Sequence, residues 1–82
     1  KRGGNVIKLY QFESCPYCRR VRKKLNQLGL DYEKIEVSRN RSKRKKIKEL
    51  SGQIKVPVLQ DTDGTVIHDS KRINKYLEEN YG

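Results

Sequence analysis

The only two cysteines of this 82-residue chain stand in Cys15-Pro16-Tyr17-Cys18, where a strand-like run gives way to a helix-like one. That junction constrains the fold more than any other feature. Upstream, Val6-Ile7-Lys8-Leu9-Tyr10-Gln11-Phe12 is a short, β-prone, mostly apolar run, as expected of a strand buried in a sheet. Downstream, Cys18, Val21, Leu25 and Leu28 recur at helical spacing, and Gly29 supplies a stop signal. A cysteine at the start of such a helix faces unpaired backbone N–H groups and the positive end of the helix dipole, both of which favour a thiolate. Cys15 is therefore the expected nucleophile. Cys18, one turn further in and more buried, is the expected resolving thiol. Closing so short a loop would remove little unfolded-state entropy, so reactivity explains the pair better than stapling does.

Beyond the first helix, Tyr32-Glu33-Lys34-Ile35-Glu36-Val37 alternates with period two and reads as a half-buried strand. Ser42 is placed to cap a basic helix that ends near Ser51-Gly52. Val56-Pro57-Val58-Leu59 and Thr65-Val66-Ile67-His68 flank Asp61-Thr62-Asp63-Gly64, the chemistry of a hairpin turn. Asp69 or Ser70 then caps a last helix with Ile73, Tyr76, Leu77 and Tyr81 on one stripe. The expected order is βαβαββα. Its front half implies a parallel pair with a right-handed crossover and its hairpin an antiparallel pair, so the sheet must be mixed. Residues 5–82 read as one domain and 1–4 as a loose leader. With no apolar stretch of membrane-spanning length and no signal-peptide pattern, the default expectation is a soluble, cytoplasmic protein.

Twenty Lys plus Arg against ten Asp plus Glu give a formal net charge of +10, which favours anionic partners, acidic proteins among them. The densest basic stretch runs from Arg39 to Lys48. Ile47 and Leu50 give it an apolar side, so a solvated helix face is the plainer reading. No aromatic residue lies among these charges, which argues against a nucleic-acid stacking surface.

A Cys-x-x-Cys pair beside a βαβ pattern reads as a thioredoxin-like redox motif. Half a zinc site is the rival. Zinc takes about four ligands, and beyond Cys15 and Cys18 the chain has one histidine, the distant His68.

Cys15-Pro16-Tyr17-Cys18, then Val56-Pro57, then Asp63-Gly64 and Asp69-Ser70 before an amphipathic terminal helix, resembles a dithiol glutaredoxin over nearly the whole chain. The resemblance implies an α/β thioredoxin fold with a four-stranded mixed sheet flanked by three helices. It also implies a monomeric, glutathione-dependent thiol-disulfide oxidoreductase that needs no metal and acts on disulfide-containing or glutathionylated proteins. By the same resemblance Pro16 and Tyr17 support the active site, and Pro57 is cis and faces it. Tyr17, the backbone of Val56, Asp69, Ser70 and Arg44 would hold glutathione, with Asp69 and Ser70 on its γ-glutamyl end and Arg44 on its glycine carboxylate. Three positions depart from the pattern: Phe12 stands where the family commonly has Lys, Lys55 replaces a frequent Thr, and Ile67-His68 replaces a Gly-Gly pair. The segment from Lys55 through Leu77 is equally similar to the N-terminal domain of glutathione transferases. Remaining alternatives are a glutathione-assisted [2Fe–2S] cluster module, a thioredoxin-like protein using another reductant, and a basic interaction domain that would leave the cysteines unexplained.

Overall fold

The computed structural model describes residues 6–38, 40 and 44–82. Its elements are β1 (Ile7–Gln11), α1 (Pro16–Gln27), β2 (Tyr32–Glu36), α2 (Lys45–Ser51), β3 (Val58–Gln60), β4 (Val66–His68) and α3 (Ser70–Tyr81). The leader expected over Lys1–Gly4 lies outside the described residues.

The strands form one four-stranded sheet in the order β2-β1-β3-β4. β1 pairs parallel with β2, from Ile7 opposite Tyr32 to Gln11 opposite Glu36, and antiparallel with β3, with Leu9 opposite Leu59. The hairpin sets Leu59 opposite Ile67. The sheet is mixed, as the order of elements requires.

Alternation along β1 divides the core. Ile7 and Leu9 point to one face and pack with Val21 and Leu25 of α1, Leu59, and Ile73 and Leu77 of α3. Tyr10 points to the other, where it meets Val58 and Ile47 of α2. Strand side chains alternate between faces, so β1 must be apolar at nearly every position to serve both layers. Lys8, half-buried, and Gln11 are the polar exceptions, and Gln11 is fully buried. Its amide is satisfied by Arg22, which donates to Oε1, and by Glu36 Oε1, which accepts from Nε2 at 3.1 Å. Such pairing offsets the cost of burying a polar group.

The start of α2 differs from expectation. Its N-cap is Arg44, which makes no side-chain cap hydrogen bond, and the helix begins at Lys45; Ser42, the expected cap, lies outside the described residues. Arg44 is drawn inward instead. It is 6% exposed, and its Nε and Nη1 donate to the carbonyls of Ser38 at 2.8 Å and Ile54 at 2.9 Å. One guanidinium thereby ties the exit of β2 to the approach to β3. At the far end Gly52 adopts φ 78° and donates its N–H to Lys48 O at 2.8 Å, the left-handed stop that glycine adopts without strain.

The hairpin carries a buried carboxylate, Asp61, which accepts from the Thr62 N–H at 2.7 Å, from the Tyr81 hydroxyl at 2.5 Å and from the Tyr76 hydroxyl. The hydrogen bond to Asp61, and then burial, push both phenols up from 10.0 to about 12. Because the folded value lies above the unfolded one, this stabilisation is intact below about pH 10 and is lost as pH rises through about 12. Phenolate absorbance followed against pH should therefore show Tyr76 and Tyr81 titrating later than free tyrosine, and Asp61→Asn should bring both back toward 10. An unchanged titration in that variant would contradict the assignment.

Candidate active site

Cys15 is the N-cap of α1, with extended backbone angles (φ −75°, ψ 118°), and Pro16 occupies the first turn, where a missing N–H costs nothing. The Cys15 N–H donates to Phe12 O at 3.1 Å and its carbonyl accepts from Arg19 N at 3.0 Å, so the backbone on both sides of the sulfur is fixed. Cys15 Sγ accepts a hydrogen bond from the Cys18 N–H at 3.4 Å. A sulfur thus takes the place usually held by a serine or aspartate oxygen at a helix start. That N–H is directed at the atom where negative charge resides in the thiolate.

Both cysteines are reduced. Cys15 is 5% exposed and Cys18 fully buried. Burial, followed by the hydrogen bond with Cys15, pushes the Cys18 thiol up from 9.0 to about 12, so it is protonated at neutral pH. The pair is divided into one cysteine on the wall of a cavity and one fully buried away from it.

The loop before Cys15 is clamped from α1 and β2. Arg22 Nη2 donates to Glu13 O at 3.2 Å, and the Glu13 N–H donates to Glu36 Oε2 at 3.4 Å. The Glu13 carboxyl also takes Lys34 at 3.4 Å, and this contact, with Arg22 nearby, holds it below the usual carboxylate range.

Two adjoining cavities open beside the helix start. The smaller, about 410 Å³, is walled by Cys15, Pro16, Tyr17, Arg44, Val56 and Phe12. The larger, about 940 Å³, has Tyr17, Val56, Asp69 and Ser70 on its wall. Tyr17, Lys55 and Val56 line both and form the step between them. Of the residues singled out in the sequence, the structure therefore gathers Cys15, Pro16, Tyr17, Val56, Arg44, Asp69 and Ser70 around one continuous depression. Cys18 and Pro57 stand behind its surface; the Val56–Pro57 peptide bond is cis.

Asp69 has the only positive φ of a non-glycine residue among those described, 77°. Its Oδ1 accepts from the Lys71 N–H at 3.1 Å, so Asp69 rather than Ser70 caps α3. The Ser70 hydroxyl, in a residue 6% exposed, is left for another task. A strained backbone at a cavity wall is commonly retained where it serves binding.

Sequence reasoning missed Gln53. Its side-chain amide grips the backbone of Lys55 from both sides, accepting from the N–H at 2.6 Å and donating to the carbonyl at 3.0 Å, and so braces the approach to Val56. An isolated Gln in a loop carries no local signal of that role. It also missed how Arg44 reaches the site, stacked over the Phe12 ring at 5.6 Å while its Nε and Nη1 bind backbone carbonyls. Among the described residues, no group of three or more His, Cys, Asp and Glu stands together as a metal site.

Residues 9–82 match the family model described as glutathione S-transferase, N-terminal domain. An uncharacterised glutaredoxin-like 8.6 kDa protein of the rubredoxin operon in Clostridium pasteurianum is 29% identical over 76 residues, covering 90% of this chain and all of that protein. Glutaredoxin 3 of Escherichia coli K12 is 31% identical over 51 residues, 62% of this chain and 61% of its own length. Among solved structures, a glutathione transferase homolog from Drosophila mojavensis with bound glutathione superposes with a TM-score of 0.85 at 30% identity, over 94% of this chain. The chain spans 36% of that transferase's length.

Proposed function

The chain belongs to the glutathione S-transferase N-terminal domain family and has the thioredoxin fold of its glutaredoxin-like relatives, and from that premise we propose that it is a glutathione-dependent thiol-disulfide oxidoreductase. The observation that carries the reading is the division of labour between the two sulfurs. Cys15 lines a cavity and its Sγ takes the Cys18 N–H, while Cys18 is fully buried and protonated. Transfer of glutathione to an electrophile has no use for a second thiol behind the first. Disulfide exchange does.

In the proposed reaction the Cys15 thiolate attacks the glutathione sulfur of a protein mixed disulfide. The protein sulfur leaves as a thiolate and takes a proton from water, and Cys15 is left bonded to glutathione. A second glutathione thiolate then attacks that sulfur, releasing oxidised glutathione and restoring the Cys15 thiolate. For a protein disulfide, Cys18 instead attacks the Cys15 sulfur of the mixed disulfide, its proton passing to the departing protein thiolate, and forms the Cys15–Cys18 bond that two glutathione molecules later reduce. Val56 and Tyr17 border the sulfur and would position the substrate's cysteine portion, with the γ-glutamyl end on Asp69 and Ser70 and the glycine carboxylate near Arg44. The deciding assay is reduction of a glutathionylated peptide with glutathione and its reductase, against the same peptide with a thioredoxin reductase system. Turnover only with the latter would defeat the proposal.

Ser70 provides a finer test, because the α3 cap belongs to Asp69. Ser70→Ala should leave the cap and the fold's stability nearly intact. A charge-assisted hydrogen bond to the γ-glutamyl carboxylate is worth about 1.5–3 kcal/mol, so its loss should raise KM for glutathionylated substrate more than tenfold. KM for disulfides without glutathione should barely move. An unaltered glutathione preference would remove Ser70 from the binding site.

A further inference from the structure

The larger cavity carries more positive charge than glutathione requires. Arg20 of α1, Lys48 of α2, Lys55 before β3 and Lys71 of α3 converge on it from four directions, against one carboxylate, Asp69. All four cations are exposed, and among the described residues no carboxylate pairs with any of them. Arg20 has a different partner, the Tyr17 ring, at 5.9 Å. The two ion pairs observed, Lys24 with Glu78 and Lys34 with Glu13, lie elsewhere.

Glutathione brings two carboxylates and one ammonium group. Seated as proposed above, it places its ammonium on Asp69, its γ-glutamyl carboxylate on Ser70 and its glycine carboxylate near Arg44. The four cations on the rim remain without a counter-charge. Lys48 also stands in the last turn of α2, where a cation suits the helix dipole, but a dipole would be served by a lysine on any side of the helix. Its placement on the cavity wall, facing Lys55 and Lys71 from other elements, is what the dipole leaves unexplained.

We propose that this rim selects acidic protein substrates: Lys48, Lys55, Lys71 and Arg20 receive Asp and Glu side chains that flank the glutathionylated cysteine of the partner. The inference rests on the oxidoreductase reading for the seat of glutathione and adds the class of protein presented to it. An acidic segment fits better than a nucleic acid because Tyr17 and the His68 imidazole are the rings on the wall, with no Phe or Trp among its residues, whereas single strands are held by a succession of stacking rings.

Binding is measured on the Cys15→Ser chain, which cannot exchange, with fluorescent glutathionylated peptides of equal length carrying either Asp and Glu or Lys and Arg around the cysteine. Exposed ion pairs are individually weak, but several acting together should give the acidic peptide about a tenfold advantage at low salt. The advantage should vanish between about 0.01 M salt, where the screening length is ~30 Å, and 1 M, where it is ~3 Å. Adding Lys48→Gln and Lys71→Gln together should bring the two peptides close to parity. In the chain with both cysteines intact, those two substitutions should leave turnover of the mixed disulfide of glutathione and 2-mercaptoethanol, which carries no charge beyond that of glutathione itself, unchanged. Equal binding of the two peptides, a preference that survives the double substitution, or a single-stranded oligonucleotide bound as tightly as the acidic peptide would each overturn the proposal. The two readings fail separately. No turnover of the 2-mercaptoethanol mixed disulfide defeats the oxidoreductase, whereas its turnover with equal peptide binding defeats only the selection of acidic partners.

Discussion

Replacing Cys15 by serine should reduce disulfide exchange to background, a loss of roughly 10³-fold or more, as expected when a covalent nucleophile is removed. A serine hydroxyl in the same cap position accepts the Cys18 N–H equally well, so the helix start survives and only the chemistry is lost. Cys18 cannot substitute, being fully buried and protonated at neutral pH. Cys18→Ser, by contrast, should retain reduction of glutathione mixed disulfides, because a second glutathione resolves the intermediate. It should also accumulate a long-lived mixed disulfide at Cys15 when offered a protein disulfide. Turnover of a glutathionylated peptide and mass spectrometry of the trapped species check both statements. Equal loss in the two variants would mean that the reaction proceeds through the dithiol route alone.

Leu77→Ala should be the most damaging single change away from the cysteines. Leu77 is fully buried on α3 and packs in the cluster that joins α1, α3 and one face of the sheet. Truncating a buried leucine costs about 2–5 kcal/mol, the upper end applying where neighbours cannot collapse into the space. A chain of this length has roughly 4–12 kcal/mol in total, so the variant should lose about a sixth of its stability at the least, and all of it at the upper end, in urea titration. A loss below about 1 kcal/mol would mean that α3 is not held by this contact.

What could be read from the residues was whatever depends on periodicity and local chemistry. The alternation in Tyr32–Val37, the stripe through Cys18, Val21 and Leu25, and the turn residues from Asp61 to Gly64 each act over a few positions, and the strands and helices appear where those patterns stand. The mixed sheet followed from the order alone. Side chains that act across long loops were not legible. Arg44 sits in a run of basic residues that reads as a solvated face, yet it is spent on two carbonyls, six and ten positions away in sequence. Tyr81 was read as part of an apolar stripe; in the structure it is 37% exposed and its hydroxyl is fastened to Asp61. Which of Asp69 and Ser70 caps α3 turned on where the first helical N–H groups fall, with Lys71 N–H reaching Asp69 Oδ1 from a positive φ that the local pattern does not signal.

The sulfur cap on α1 makes folding and oxidation two sides of one thermodynamic cycle. Reduced, Cys15 can place a full negative charge against the Cys18 N–H and the first turn of the helix. Once its sulfur is bonded to another, the charge is gone and the turn keeps only a weak neutral acceptor. A thiolate held there would favour the native state of the reduced chain through a contact that an unfolded chain does not make. Any difference in unfolding free energy between the two forms must reappear as a shift in the equilibrium with glutathione, and a better-held reduced form would give a disulfide that gives up its oxidising equivalents more readily. A helix terminus would then act as a dial on electron affinity, its setting read with a denaturant.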